Sequence, residues 1–163
     1  LELIKKIPSM IKINVILNNN EWFLNLRNPN IYIKKKIDQI NKKFKVYNRK
    51  TIFCTLLLSG DKKIKYLNQR FRNKNKSTDV LSFPFYEKRE LKKKLKNEKE
   101  VYLGDIIINY KKIKYKKSKK DFNFEFNKLW IHGLTHLLGY DHKKKKEYNK
   151  MIKIEKKLIS CLD

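Results

Sequence analysis

The sequence predicts an α+β fold, with residues 1–163 forming one domain. A roughly four-stranded mixed sheet is joined by about five helices, and a central helix carries a pair of histidines. Three observations carry this. Strand-like apolar runs occur four times, and helical periodicities first alternate with them and then gather toward the C-terminus. No repeat and no Pro- or Gly-rich linker divides the 163 residues. A chain of that length buries about 70% of its unfolded surface, enough for one core without disulfides.

The elements follow in order. Ile11–Leu17 alternates and is β-branched, which favours a strand, and Asn18-Asn19-Asn20 closes it. Asn28-Pro29-Asn30 is a turn, after which Ile31–Phe44 places Ile33, Ile37 and Ile40 on one helical face. Thr51–Leu58 is almost continuously apolar, as in a strand covered on both faces. Ser59-Gly60-Asp61 turns the chain into a helix with Ile64, Leu67 and Phe71 at helical spacing, and Asp79–Phe85 is a short strand. Residues 86–100 are densely charged and read as an exposed loop or frayed helix. Val101–Asn109 is the fourth strand, and the Lys-rich Tyr110–Lys120 reads as a helix with a solvated face. Phe122–Leu138 is the most apolar helix, with Phe126, Leu129, Trp130, Leu134 and Leu137 on one side. Gly139 stops it as a glycine beyond the cap does. Lys143–Leu162 is a final amphipathic helix with Met151, Ile154 and Leu158 inward.

Composition adds a polyanion partner. Lys and Arg total 42 against 16 Asp and Glu, a formal net charge of +26. Only five of the 42 are Arg, and Ala is absent, the mark of a genome biased toward A/T-rich codons. Much of the charge is then mutational drift on solvated faces, yet it still attracts RNA or DNA whatever its origin. Two Cys make no disulfide framework; Cys54 sits in an apolar run as a core residue. No apolar stretch reaches 18 residues, so no membrane span is expected, and the first residues lack a signal-peptide core. A cytoplasmic protein is the expectation.

All three His fall within the segment IHGLTHLLGYDH. His132 and His136 are four apart, so at about 100° per residue they face the same way, one helical turn apart. Gly139 lets the chain double back and bring His142 to the pair. Three neutral imidazoles suit one divalent metal ion, zinc above all, and leave a fourth position for water. Asp141 is a candidate outer-shell acceptor or a turn residue. The spacing matches metzincin proteases, but those have Glu directly after the first His as general base, and here Gly133 stands there. This argues against peptide hydrolysis by the usual zincin route.

The block HGLTHLLGYDH, followed by Glu147 and Met151, resembles the signature of the YbeY family of bacterial endoribonucleases. A second block agrees: Leu67-Asn68, Phe71-Arg72, Lys74 and Ser77-Thr78-Asp79-Val80-Leu81-Ser82-Phe83-Pro84 are similar to the family's LNxxYRxKDxPTDVLSFP. Leu103-Gly104-Asp105-Ile106 is a third, weaker match, and the blocks together span residues 67–155. Phe71 replaces the family's Tyr, Thr135 stands where Leu is common, and Asn75 and Ser77 replace Asp and Pro. The C-terminal helix is Lys-rich where the family's is acidic. The resemblance implies a metal-dependent endoribonuclease of single-stranded RNA, acting in ribosomal RNA maturation and ribosome quality control. It implies zinc on His132, His136 and His142, a functional Arg at Arg72, and ribosomal RNA with the small ribosomal subunit as partners. No small-molecule cofactor is implied, and a monomer is expected.

Arg72 suits that chemistry, because a guanidinium pairs bidentately with phosphate. Thr78 and Asp79 read mainly as turn residues, and Asp105 as a residue that orients a His or lines the cleft, or equally as a turn residue. Lys74, Lys76 and Lys143–Lys146 are candidates for phosphate contacts without sequence readout. Two other readings stay open: a metalloprotease-like hydrolase, favoured by the His spacing, and a non-catalytic ribosome-assembly factor with a structural metal, favoured by the charge.

Overall fold

A computed structural model describes residues 10–43, 50–114, 117–142 and 144–162. Its sheet has the order β1-β2-β4-β3, formed by β1 (Met10–Leu17), β2 (Thr51–Ser59), β3 (Val80–Pro84) and β4 (Glu100–Asn109). β1, β2 and β4 run parallel, and β3 is antiparallel to β4. Five helices accompany them: α1 (Pro29–Lys43), α2 (Asp61–Arg72), α3 (Lys88–Asn97), α4 (Lys119–Leu137) and α5 (Lys145–Ile159). This is the expected single α+β domain with a four-stranded mixed sheet.

One face of the sheet carries the main core. Ile11 and Val15 of β1, Ile52, Leu56 and Leu58 of β2, and Leu103, Ile106 and Ile108 of β4 pack against α1 and α4, with α5 behind α4. α4 has nine buried residues because its apolar positions spread around most of the helix, as a central helix requires. On the opposite face α2 lays Ile64 and Leu67 against Leu57, Leu81, Phe83 and Ile107. Thr51–Leu58 is therefore not sheltered on both faces along its whole length: Phe53 is 38% exposed.

Three local expectations change. The turn at Pro29 is the helix start itself: Pro29 is the first helical residue and needs no N–H there, while Asn28 Oδ1 accepts the Ile31 N–H at 3.0 Å. The charged stretch 86–100 contains α3, which buries Leu91 alone and keeps its Lys in solvent. The Tyr110–Lys120 helix is not seen in the described residues before α4, which takes up Lys119 and Lys120; residues 115 and 116 lie outside the described residues. Only Tyr110–Lys112 makes a 3-10 turn, capped by Asn109, and buried Ile113 continues in extended conformation. Ser118 then starts α4 by accepting the Asp121 N–H. A second 3-10 helix, Asn20–Leu24, sinks Trp22 into the core against Tyr110 and Phe126, its Nε1 donating to the Ser59 carbonyl at 3.0 Å. Phe44 and Lys143 lie outside the described residues.

Gly104 explains the LGDI block in structural terms. Strand pairing runs Tyr102 with Phe53 and then Asp105 with Thr55, so Leu103 and Gly104 together face Cys54 in a β-bulge. Gly104 has φ +127°, and a Cβ there would lie 2.1 Å from the Phe83 carbonyl oxygen. Only glycine lets β3 approach β4 so closely.

Candidate metal centre and cleft

The histidine cluster is built by the end of one helix. His132 and His136 project from the last turns of α4 with ring centres 4.7 Å apart. Gly139, at φ +86°, donates its N–H to the His136 carbonyl, and Tyr140 donates to the Thr135 carbonyl. These two bonds make a Schellman motif, which turns the chain sharply back along its own helix. His142 thereby reaches the pair, its ring centre 5.0 Å from that of His136 and 6.0 Å from that of His132. One ring nitrogen from each histidine lies within 4.8 Å of the others.

The outer partners settle which nitrogens are available. His132 Nδ1 lies 2.7 Å from a Glu155 carboxylate oxygen on α5, and His136 Nδ1 lies 3.0 Å from the Tyr140 carbonyl. Both partners accept, so each Nδ1 carries the proton and each Nε2 keeps its lone pair. Burial lowers the His136 pKa, and the neighbouring His132 and His142 lower it further, so its imidazole is held neutral. Two imidazoles steadied from behind, with the third brought up by the returning turn, make a donor set that fits a divalent metal ion.

Gly133 has a steric reason. It faces the sheet, where a Cβ would lie 2.6 Å from Ile106 Cγ2. No side chain, and so no protease-type glutamate, fits between α4 and β4.

A cleft of about 1000 Å³ opens over the cluster, and Arg72, Lys74, Thr78, Asp79, Ser82 and Phe85 are among its walls. Arg72 ends α2, donates to the Ser82 carbonyl at 3.3 Å and stands 5.9 Å from the centre of the Phe83 ring. Two contacts thus hold the guanidinium while most of its donors stay open to the cleft. All four residues singled out for the site, His132, His136, His142 and Arg72, line this one cavity.

The remaining candidates take varied places. Asp79 accepts from Val80 N–H and Thr78 Oγ1, the turn role read from the sequence, while both residues also line the cleft. Asp141 accepts the backbone N–H of His142 at 2.7 Å, which fixes the returning turn. Asp105 is neither a cleft nor a turn residue: it lies within β4 and accepts from Tyr102 Oη at 2.5 Å. Lys76 and Lys144–Lys146 are exposed. Glu155 was missed by sequence reasoning. Its signal was present: it is one of two acids in a Lys-rich helix, next to the inward Ile154.

Fold and cleft together define a class: a small α+β domain that gathers three histidines and an arginine at the end of its central helix. A family model described as Endoribonuclease YbeY matches residues 16–163. A Pelagibacter ubique protein of that name is 43% identical over 148 residues, covering 90% of this chain and 92% of the relative. A namesake from Thermodesulfovibrio yellowstonii is 39% identical, covering 77% and 76%. The solution structure of TM1509 from Thermotoga maritima superposes with a TM-score of 0.57 at 25% identity, covering 93% of this chain and 89% of that one. The chain belongs to the YbeY endoribonuclease family.

Proposed function

We propose that this chain is a metal-dependent endoribonuclease of single-stranded RNA that acts in ribosomal RNA maturation and ribosome quality control. One observation carries the reading: three converging imidazoles and an anchored guanidinium share one cleft in a chain of net charge +26. His132, His136 and His142 hold one divalent ion, for which an all-imidazole donor set favours zinc. Such an ion, when bound, stabilises charge on a phosphoryl oxygen and makes water acidic enough to ionise near neutral pH.

The protein's own groups do the rest. Glu155 and the Tyr140 carbonyl fix the tautomer and tilt of the two helical imidazoles. Arg72, braced by Ser82 and Phe83, offers paired N–H donors to a phosphate and gains on the charge that develops during cleavage. Lys74 and Lys88 at the cleft wall attract the backbone without reading sequence. The general excess of positive charge raises the encounter rate with RNA. We read the described residues as one hydrolase domain. We place its work in the cytoplasm, with the small ribosomal subunit as the partner that presents the RNA. Among the described residues no helix is long and apolar enough to cross a membrane.

The test is cleavage of a ribosomal RNA precursor by wild type, His136→Ala and Arg72→Ala. Wild type cleaves, His136→Ala does not, and Arg72→Ala is slower by about 10²–10³-fold at matched metal content. Full cleavage by His136→Ala would refute the reading.

A further inference from the structure

The cleft over the histidines continues past them. A second groove, of about 680 Å³, shares Asp79, Val80 and His132 with the first. Its walls come from three places. Lys112 and Lys114 follow β4, Phe124 and Lys128 project from α4, and Glu155 and Lys156 come from α5. His132 thus stands on the ridge between two grooves.

Three features of this second groove point to a single-stranded polyanion. Its carboxylates are already engaged: Glu155 with His132, Glu125 with Lys128 at 3.0 Å, and Asp79 with the Val80 N–H. Among the described residues, no carboxylate lies within ion-pair distance of Lys112, Lys114 or Lys156, so no direct ion pair neutralises them at the groove. Phe124 is 54% exposed, an aromatic ring on the outer face of a well-packed helix, with Lys128 Nζ 5.2 Å from its centre. A ring flanked by lysines is the arrangement that stacks a base while cations follow the backbone. Endonucleolytic cleavage also needs nucleotides on both sides of the broken bond. The first cleft holds Arg72, and the second groove opens on the other side of His132.

We infer that the groove between α4 and α5 binds the RNA arm on the far side of the cleaved phosphate, with Phe124 stacking a base and Lys112, Lys114 and Lys156 contacting phosphates. This rests on the RNA-cleavage reading above. It assigns the second groove as a distinct substrate subsite and gives the otherwise unexplained exposure of Phe124 a role.

Steady-state cleavage of a single strand of about 12 nucleotides tests it, alongside two strands shortened on one or the other side of the cleaved bond. The variants are Phe124→Ala and the triple Lys112→Gln, Lys114→Gln, Lys156→Gln. All four positions are exposed, so folding is unaffected and is checked by circular dichroism. Phe124→Ala raises KM on the long strand about 5- to 100-fold with kcat within about twofold, the loss of one base stack. The triple variant lowers the salt slope of log kcat/KM by about 2, at about 0.7 for each phosphate that is no longer neutralised. The strand lacking the arm that lies in the second groove is cleaved equally well by wild type and both variants. Wild-type behaviour of both variants on the long strand would overturn the inference, as would equal losses on both shortened strands. In either case RNA cleavage by the wild type stands. Absence of any RNA cleavage by the wild type would instead remove the RNA reading itself, and this inference with it.

Discussion

Glu155→Ala isolates the support behind the proposed metal site. The carboxylate accepts from His132 Nδ1 at 2.7 Å. A hydrogen bond to a charged acceptor contributes about 1.5–3 kcal/mol. The His132 side chain is 34% exposed and that of Glu155 17%, so solvent screening places this pair in the lower half of that range. About 1.5–2 kcal/mol corresponds to about 12- to 27-fold in metal affinity, because 1.4 kcal/mol is tenfold. That lies within the roughly 10–100-fold typical for removing the outer partner of a metal-bound imidazole. Competition against a chromophoric zinc chelator measures it. Glu155→Gln, which keeps an amide oxygen as acceptor without the charge, falls between wild type and Glu155→Ala. α5 stays docked through Met151, Ile154 and Leu158, so thermal unfolding of the metal-free variant confirms that the fold is intact. A zinc affinity within about twofold of wild type in folded Glu155→Ala would refute the argument that this contact sets the tautomer and basicity of His132.

Further outcomes follow from the same geometry. Gly104→Ala forces a Cβ toward the Phe83 carbonyl and a side chain into φ +127°, costing about 3 kcal/mol or more and lowering the melting temperature by about 10 °C. A melt unchanged from wild type would contradict the bulge. Gly133→Ala drives a methyl to 2.6 Å from Ile106 Cγ2, and overpacking of about 1–3 kcal/mol outweighs the helix propensity gained, a net loss readable in a urea titration. Cys54 is 1% exposed, and burial, with the nearby Asp105 charge, pushes its thiol up to about 12. It therefore resists iodoacetamide at about pH 8 until the protein unfolds. The folded thiol holds its proton more tightly than the unfolded one, so this group's contribution is complete below the ordinary thiol value of 9.0 and is lost as the pH rises toward about 12.

What the sequence made legible was periodic or local. The spacing of His132 and His136, with Gly139 three residues on, is enough to specify a Schellman return, because helix geometry leaves little freedom there. The strands were legible from β-branched runs, and their limits moved by a residue or two. Contacts between distant segments were not legible. Glu155 meets His132 only because α5 packs across α4, and no local pattern in a Lys-rich helix announces that. Tyr110–Lys120 has helical composition, yet Tyr110 is drawn into the core to donate to Asn25, 85 residues away, and buried Ile113 ends the turn. Tertiary contacts outweigh propensity in a segment this short. Gly133 was legible as a missing base, but its cause, the approach of α4 to Ile106, belongs to packing. Asp105 stood in a matching block, and only the register of β4 shows it paired with Tyr102 away from the cleft.

On the reading proposed above, the three histidines hold the metal on which RNA cleavage depends. The most direct measurement is metal content by mass spectrometry together with cleavage of ribosomal RNA precursor, for wild type and His136→Ala purified side by side. The account predicts about one zinc per wild-type chain with cleavage, and neither in the variant. A folded His136→Ala protein that lacks metal and still cleaves at the wild-type rate would contradict it.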